Sequence, residues 1–343
     1  MVQVSRRVTV NGVELVYEDG GQGTAIVTLH GGPGMGSRAG DWAAFQPLTD
    51  SYRLVSYDQR GNGESGAGEP YSHAQFVSDL EALRVELKLG KIVVLGGSYG
   101  GFLALEYALA HQEHVHAVIL RDTAASNRFQ GTSMDRAMSS GFPMDQERLE
   151  RLFAGKVASD DEFRESFAMI QPLYTVERDP AAEAERLARI PFRYETHNWA
   201  FSRNQPDYDL TGRLHEIGVP VLVTVGREDW ITPLEASEEL AAGLPNNEFV
   251  VFEHSGHSPH IEERERYLGV VRDFLARHVP APAPARRRTR SFSRSRRRNA
   301  PSAPGPSSST CRRARTRPCC STTSSSSTLP ASRSTRPSGL SPC

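Results

Sequence analysis

The sequence predicts an α/β fold: a mostly parallel, twisted sheet flanked by helices, with a helical segment inserted before the last strands. Short apolar strands alternate with amphipathic helices over residues 1–123, which implies βαβ crossovers and parallel pairing. The same alternation resumes over residues 215–280. Between them, residues 124–214 lack it and contain helical patches such as "DEFRESFAMI" and "AAEAERLARI". We therefore expect one α/β core in two parts, with a helical cap between them.

The elements of the core can be predicted in order. Residues 6–20 alternate apolar and polar positions on both sides of Asn11-Gly12, a strong signal for a hairpin turn. Buried strands are predicted over residues 24–30, 52–58, 91–95, 116–122, 219–226 and 247–253, because each is a short apolar run. Helices are predicted over residues 73–88, 102–110, 233–244 and 263–278 from apolar positions at helical spacing.

The composition separates residues 281–343 from the rest of the chain. They hold 14 of the 40 basic residues and none of the 41 acidic ones, so residues 1–280 carry a net charge near −15. This tail is rich in Arg, Ser and Pro and poor in apolar residues, and we expect it to be disordered. Its basic runs suggest nucleic-acid binding, but the same composition is typical of GC-rich sequence translated out of frame.

The cysteines and the apolar runs indicate a cytoplasmic protein. All four cysteines (Cys311, Cys319, Cys320 and Cys343) lie in the tail, so we expect no disulfide in residues 1–280. The first twenty residues lack the apolar core of a signal peptide, and no apolar run reaches the roughly 18 residues of a membrane span. We expect neither a membrane partner nor a disulfide framework.

The stretch "VVLGGSYGGFLALEYALAH" contains Gly-x-Ser-x-Gly at the junction of a strand and a helix. Glycines at a sharp turn remove the Cβ atoms that would clash and leave the Ser98 hydroxyl projecting. A phosphate-binding loop is the alternative, but its lysine is missing. A glycine-rich turn that merely packs closely is a further alternative, so the pattern alone makes Ser98 a candidate nucleophile and the rest of the chain must decide.

An acid and a base are predicted after two later strands. Asp229 follows the strand over residues 219–226, and His257 follows the strand over residues 247–253. Reactive groups collect beyond the carboxyl ends of parallel strands, so Ser98, Asp229 and His257 are expected to meet. Asp122 is the alternative acid, because it also ends a strand, whereas Glu228 is expected to be solvated.

His254 and His260 are the alternative bases, although we expect both to be surface residues. The three histidines are spaced three apart, but no fourth ligand accompanies them, so no metal site and no cofactor are predicted. The loop "HGGPGMG" (residues 30–36) follows a buried strand, and its glycines allow a close approach to a ligand. The N–H groups of Gly32 and Tyr99 are therefore candidates for an oxyanion hole.

Five blocks together, "HGGPG", "YDQRGNGES", "GGSYGG", "GREDWITP" and "SGHSPHIEE", resemble the proline iminopeptidase-like branch of the α/β-hydrolase superfamily. The resemblance covers residues 5–278 and implies an α/β-hydrolase fold with a cap over the active site. It implies cleavage of an N-terminal proline or other residue from short peptides or amides, with Ser98, Asp229 and His257 as the triad. Asp58 and Arg60 match its "DQRG" block and are expected to brace the loops.

One departure from the family concerns the cap. Members that act as aminopeptidases hold the substrate ammonium with cap carboxylates, often in Gly-Pro-x-Glu-Phe, where this chain has "RNQPDYDL". Glu195 or Asp207 is the candidate substitute for that carboxylate. The departure favours an esterase, lactonase or amidase with a neutral substrate as the alternative. A serine nucleophile argues against epoxide hydrolase and haloalkane dehalogenase chemistry, which requires an aspartate.

Overall fold

The fold is built on an eight-stranded sheet, described by a computed structural model over residues 5–279. The strands are β1 (Arg6–Val10), β2 (Val13–Gly20), β3 (Ala25–Leu29), β4 (Arg53–Tyr57), β5 (Ile92–Gly97), β6 (Val115–Arg121), β7 (Val221–Gly226) and β8 (Asn247–Phe252). Their order in the sheet is β1-β2-β4-β3-β5-β6-β7-β8. The β1–β2 and β2–β4 pairs are antiparallel, and the other five pairs are parallel. The predicted fold class is therefore confirmed.

β1 and β2 form the predicted N-terminal hairpin. Val10 and Val13 are partners across a two-residue turn, in which Asn11 and Gly12 have φ of 46° and 76°. A type I′ turn requires a positive φ at both central residues, and Asn-Gly is the pair that tolerates it best. The turn residues thus fix the register of this edge of the sheet.

The helices are α1 (Arg38–Phe45), α2 (His73–Glu86), α3 (Tyr99–His111), α4 (Gln130–Met138), α5 (Gln146–Phe153), α6 (Asp160–Ile170), α7 (Pro180–Arg189), α8 (Tyr194–Trp199), α9 (Leu234–Gly243), α10 (Pro259–Glu262) and α11 (Arg264–His278). Every predicted core helix is present, and α1 is a helix that the sequence did not predict. Short 3-10 segments follow α1, α3 and α6 and precede β7.

Two hydrophobic clusters cover the two faces of the sheet. Successive residues of β5, Val93 and Val94, belong to different clusters, because side chains alternate between the faces of a strand. One cluster includes Leu103 of α3, and the other includes Phe274 of α11. Burial on both faces explains why the central strands read as continuous apolar runs.

Helices α4 to α8, continued by the π-helical segment Ala200–Asn204, lie between β6 and β7. They have a hydrophobic cluster of their own, in which Leu149, Phe163 and Phe192 are buried. We call residues 124–214 the cap, and the domain boundaries at 124 and 214 stay a prediction. The predicted tail, residues 281–343, lies outside the described residues. Within residues 5–279, no helix has both the length and the apolar character to cross a bilayer.

Candidate active site

Ser98 lies at the turn between β5 and α3. β5 ends at Gly97 and α3 begins at Tyr99, and Ser98 between them has φ of 53° and ψ of −125°. This conformation is uncommon for a residue with a side chain, and backbone strain of this kind collects at functional sites. The side chain of Ser98 is half-buried and lines a cavity between the sheet and the cap.

The glycines around Ser98 let the turn pack directly against β3. A Cβ atom on Gly100 would lie 1.9 Å from the carbonyl oxygen of Leu29, and one on Gly96 would lie 2.3 Å from the carbonyl oxygen of Gly100. No side chain fits at such distances, so both positions require glycine. The Gly-x-Ser-x-Gly pattern is thus a packing requirement of this strand–helix turn.

Asp229 and His257 meet beyond the carboxyl ends of β7 and β8. Nδ1 of His257 and Oδ2 of Asp229 are 2.8 Å apart, and both side chains are buried. Asp229 also accepts hydrogen bonds from the N–H groups of Ile231 (2.9 Å) and Thr232 (3.1 Å) and from the Thr232 hydroxyl (2.8 Å). Because a carboxylate only accepts hydrogen bonds, the proton of the neutral imidazole lies on Nδ1. Nε2 keeps its lone pair and is free to accept a proton.

Asp229 also favours the protonated form of His257. Burial opposes the charge on the imidazolium, but the charge and the hydrogen bond of Asp229 outweigh it and raise the pKa of His257 above its ordinary value. The charge of Asp122 acts in the same direction. The imidazole is therefore a stronger base here than in water.

Asp122, the alternative acid, lies nearby and bonds a different group. It follows β6 with φ of 48°, and its Oδ1 accepts the N–H of Gly226 at 3.0 Å. Its Oδ2 has no hydrogen-bond partner among the described residues. Burial, followed by the charge of Asp229, raises the pKa of Asp122 to about 7. The structure thus brings Asp229, rather than Asp122, to the imidazole of His257.

The two neighbouring histidines differ from each other. His254 is exposed, as expected, and its N–H donates to Glu263 at 3.0 Å. His260 is buried against Phe45, with ring centroids 6.0 Å apart, and burial lowers its pKa well below the ordinary value. The expectation that His260 is a surface residue is therefore wrong, because its ring packs against the end of α1. Glu228 is exposed, as expected.

The loop over residues 31–36 lies against Ser98. A Cβ atom on Gly31 would be 2.8 Å from the Cβ of Ser98. Gly32 has φ of 62°, and its carbonyl accepts the N–H of Met35 at 2.8 Å, which closes a tight turn. The N–H of Tyr99 belongs to the first turn of α3, where N–H groups have no acceptor within the helix. Gly32 and Tyr99 therefore both lie next to Ser98 and line the same cavity.

This loop is held from two sides. The N–H of Gly34 donates to Oδ1 of Asn62 in the core at 2.7 Å. From the cap, the N–H of Arg193, just before α8, donates to the carbonyl of Gly34 at 2.6 Å. A Cβ atom on Gly34 would lie only 2.2 Å from the carbonyl oxygen of Arg193. The start of α8 thus rests directly on the candidate oxyanion loop.

Asp58 and Arg60 brace the loop after β4. Asp58 accepts the N–H groups of Arg38 (2.6 Å) and Glu64 (2.8 Å) and pairs with the Arg38 guanidinium. Arg60 pairs with Asp79 at 2.8 Å, and both side chains are buried. Neither Asp58 nor Arg60 lines the cavity, in agreement with the structural role expected for them.

The cavity has a volume of about 270 Å³, and Ser98 and His257 form part of its wall. Most of the wall is apolar and aromatic, including Phe102, Phe129, Phe153, Phe163, Phe167 and Phe201. None of the described residues that line it is Asp or Glu, whereas Arg121 and Arg186 are both present. The wall thus combines apolar surface with positive charge.

The structure does not bring the predicted substrate-binding carboxylates, Glu195 and Asp207, to this cavity. Both are exposed, and neither is part of its wall. On α8 the inward positions are taken by Thr196 and His197, which are buried. Beyond the π-helical segment, Gln205 lines the cavity, two residues before Asp207. The orientation of α8 turns Glu195 outward, and the turn after the π-helical segment leaves Asp207 exposed. The sequence motif alone reports neither orientation.

Arg121, at the end of β6, lies beneath the Ser98 turn. A Cβ atom on Gly97 would be 1.9 Å from Nη2 of Arg121, so the guanidinium occupies the space of a missing side chain. Carboxylate oxygens of Asp41 and Asp122 are each 3.8 Å from its terminal nitrogens, beyond hydrogen-bond distance. Its buried Nε has no partner among the described residues. The sequence analysis did not predict that Arg121 lies at the site. The only signal was Gly97, whose missing side chain leaves room for a neighbouring group.

The cap is hydrogen-bonded to the loop that carries His257. The N–H of His257 donates to the carbonyl of Tyr174 at 3.0 Å, and the two rings pack edge to face with centroids 5.3 Å apart. Glu262 bridges the same two segments, because its oxygens accept the N–H groups of Val176 (2.6 Å) and Gly256 (2.9 Å). The sequence offered no signal for Tyr174, which is far from His257 along the chain.

No group of three or more potential metal-ligating side chains occurs within residues 5–279. The expectation that the protein uses no metal and no cofactor stays a prediction. The structure places Ser98 and His257 on the wall of one cavity and holds the imidazole of His257 against Asp229.

Comparison with known proteins gives consistent results. Residues 24–264 match the sequence profile of a family described as the alpha/beta hydrolase fold. The proline iminopeptidase PfmaB of Pestalotiopsis fici is 35% identical over 277 residues, which cover 79% of this chain and 99% of that protein. The proline iminopeptidase of Heyndrickxia coagulans is 31% identical over 275 residues, covering 76% and 93% respectively.

Two solved structures of esterases are also similar. A thermophilic esterase from Thermogutta terrifontis has a TM-score of 0.63 and 27% identity, over 81% of this chain and 100% of that one. The esterase EaEST from Exiguobacterium antarcticum has a TM-score of 0.65 and 26% identity, over 78% and 97%. Relatives of both kinds thus share this fold.

Proposed function

Because the chain belongs to the α/β-hydrolase family, in its proline iminopeptidase-like branch, we propose that it is a serine hydrolase that forms an acyl-enzyme on Ser98. His257 is the base, and Asp229 orients it. The observation that carries the proposal is the 2.8 Å hydrogen bond between His257 and Asp229, beside a cavity that Ser98 and His257 both line. A serine hydroxyl needs such a base, because it is a weak nucleophile while it keeps its proton.

In the first half of the reaction, Oγ of Ser98 attacks the acyl carbon while Nε2 of His257 takes its proton. Asp229 stabilises the imidazolium that forms and holds the ring in place. The N–H groups of Gly32 and Tyr99 donate to the oxygen that becomes negative. The tetrahedral intermediate then releases the alcohol or amine, which leaves with the proton of the imidazolium.

In the second half, water replaces the leaving group. His257 takes a proton from the water, whose oxygen attacks the acyl-enzyme carbon. The same N–H groups stabilise the second oxyanion, and Oγ of Ser98 leaves with the proton from His257. The product is a free carboxylic acid, and the triad returns to its starting state.

A fluorophosphonate probe tests this proposal, because it phosphonylates only a serine activated in this way. The expected result is one label on Ser98, identified by peptide mass spectrometry, and no label in Ser98→Ala. Ser126 also lines the cavity and serves as the matched control, since Ser126→Ala keeps a labelled Ser98. A folded protein that takes no label at Ser98 contradicts the proposal.

Two substrate classes are compatible with this chemistry. Relatives are named proline iminopeptidases, which favours short peptides or amides with an N-terminal proline. The similar structures named esterases favour an ester, and the absence of a carboxylate from the described cavity wall favours a neutral substrate, whether ester, lactone or amide. The composition of the cavity supports the second class, for the reasons given next.

A further inference from the structure

The cavity beside Ser98 has a wall without negative charge. Among its lining residues that the structure describes, there is neither Asp nor Glu, and two are arginines. Building on the serine-hydrolase function proposed above, we propose that this site accepts acyl groups that carry no positive charge and rejects those with a free α-amino group. The substrates are then esters, lactones or amides of small apolar carboxylic acids.

An α-amino group is an ammonium at neutral pH, and water solvates it strongly. To enter a closed cavity, it must exchange that water for a carboxylate or for several acceptors, or binding is lost. Aromatic faces attract a cation, but a ring does not replace the hydrogen bonds of an ammonium. The aromatic wall of this cavity therefore does not compensate for a missing carboxylate.

The buried carboxyl groups near His257, those of Asp229 and Asp122, lie outside the cavity wall. Asp229 accepts hydrogen bonds from His257, Ile231 and Thr232. Asp122 lies beside Arg121, is fully buried, and is not part of the wall. No described acidic residue is thus in a position to receive a substrate ammonium.

The positive charges act in the same direction. Arg121 is 7% exposed and makes no side-chain hydrogen bond to a described residue at its Nε. Charges interact more strongly where water is excluded, but Asp41 and Asp122, each 3.8 Å from the guanidinium, offset part of the charge of Arg121. Only the remainder disfavours a second cation near Ser98. Arg186, on α7, also lines the cavity, but it is exposed, so water screens its charge. An uncharged acyl group meets no such repulsion.

The apolar surface gives such an acyl group its binding energy. Phe153 and Phe201 pack edge to face in the wall, with centroids 5.9 Å apart, and Phe167 packs similarly against Tyr174 at 5.4 Å. Burying apolar groups against these rings is favourable, in proportion to the area removed from water. The volume of about 270 Å³ suits a small ring or a short chain.

A matched pair of substrates tests the inference on the native protein. L-Proline 2-naphthylamide and cyclopentanecarboxylic acid 2-naphthylamide differ in one ring nitrogen, and 4-nitrophenyl cyclopentanecarboxylate supplies a more reactive bond to the same acyl group. We expect kcat/KM for the uncharged amide to exceed that for the prolyl amide by at least about a hundredfold, the factor that losing one charge-compensating contact produces. Equal or faster turnover of the prolyl amide overturns the inference.

A variant with a carboxylate in the cavity makes the test sharper. Gln205 lines the cavity, so Gln205→Glu adds a carboxylate to its wall. We expect the prolyl-to-cyclopentyl ratio of kcat/KM to rise about tenfold or more. Ser202→Glu, at an exposed position outside the cavity wall, adds the same charge and should leave the ratio unchanged. An equal rise in both variants contradicts a local effect.

Labelling separates the two proposals. If Ser98 reacts with the fluorophosphonate probe but the prolyl amide is the better substrate, the serine-hydrolase function stands and the inference about charge fails. If Ser98 does not react and no substrate is turned over, the proposed function fails, and the inference fails with it. Label on Ser98 together with preference for the uncharged acyl group supports both.

Discussion

Two buried carboxyl groups influence the imidazole of His257, and the residues differ in what each one bonds. Asp229 accepts a hydrogen bond from Nδ1 of the imidazole at 2.8 Å, whereas Asp122 accepts one from the backbone N–H of Gly226 at 3.0 Å. The first contact fixes a tautomer and an orientation, while the second leaves only a charge near the ring. Removing each carboxylate should therefore have a different effect.

Asp229→Asn should lower kcat by about 10³-fold to 10⁴-fold, because an amide at this position no longer holds the tautomer that the reaction needs. Asp122→Asn should change kcat by less than about tenfold, since Asn still accepts the N–H of Gly226 and tolerates a positive φ. Steady-state kinetics on one ester substrate measures both. The reverse ranking would assign the role of acid to Asp122.

The dependence of kcat/KM on pH tests whether the charge of Asp122 affects the pKa of His257. His257 must be neutral to act as a base, and its raised pKa shifts the acidic limb of kcat/KM to higher pH than for an ordinary histidine. The Asp122 carboxylate contributes to that increase to the extent that it is ionised, since its own pKa is about 7. Asp122→Asn removes this charge and should lower the pKa of His257. The acidic limb should then move to lower pH. An unchanged limb, or a move to higher pH, would contradict electrostatic contact between the two groups.

At the scale of elements, the candidate site depends on how closely the cap approaches the core. The start of α8 contacts the loop over residues 31–36 through the carbonyl of Gly34, and no side chain separates the two backbones. Asn62 holds the same loop from the other side at 2.7 Å. Oxyanion donors need fixed positions to be effective, so this contact is expected to affect the reaction rate.

Gly34→Ala should therefore lower both stability and rate. Its Cβ would lie 2.2 Å from a carbonyl oxygen of the cap, and the residue has φ of 77°. We expect a loss of about 1–3 kcal/mol in the free energy of unfolding and about tenfold or more in kcat. Thermal melts and ester kinetics measure the two effects.

Gly40→Ala is the matched control for this substitution. Gly40 is inside α1, where a Cβ atom would have nothing within 4 Å, so alanine should keep the activity and keep or slightly raise the melting temperature. If Gly34→Ala behaves like Gly40→Ala, the loop does not depend on its contact with α8.

The core elements could be predicted because their signals are local. β5 is an apolar run followed by glycines, and α11 repeats apolar residues at helical spacing, so each is readable without its neighbours. The sequence analysis did not predict α1, because charged residues take some of the buried positions at which apolar residues are expected. Two of its four buried residues, Arg38 and Asp41, are charged. Each of them forms an ion pair with a residue of another segment.

The same distinction applies to the candidate site. Ser98, Asp229 and His257 each follow a strand, so their sequence context reports that they lie at one edge of the sheet. Which cap residues line the cavity depends on how each helix, and the turn that follows it, is oriented toward the core. Gln205 and Tyr174 face the cavity, while Glu195 does not, and a motif search has no access to that direction.

At the scale of the whole molecule, the charge is divided along the chain. Residues 1–280 carry a net charge near −15, and residues 281–343 carry the 14 arginines of the predicted tail. The core clusters described above lie within residues 5–279, and the tail sequence has few apolar residues to add to them. The domain should therefore be stable without the tail.

Deleting residues 281–343 should leave kcat/KM and the melting temperature nearly unchanged at physiological salt. We expect any attraction between the tail and the acidic domain to be weak, because salt screens solvated charges over about 8–10 Å. Thermal melts of both chains at low and physiological salt test this. A drop of more than a few degrees at physiological salt would mean that the tail binds the domain specifically. Filter binding of both chains to RNA tests the nucleic-acid alternative.

The hydrogen bond from the N–H of His257 to the carbonyl of Tyr174 limits how substrates can enter the active site and how products can leave it. A cap that swung away as a whole would withdraw that carbonyl and break both hydrogen bonds of Glu262, so the catalytic loop would lose its support at the same moment. The enzyme would then be inactive whenever the cap was open and the active site was exposed to bulk water. An active enzyme would therefore have to exchange substrates and products without such a movement of the whole cap.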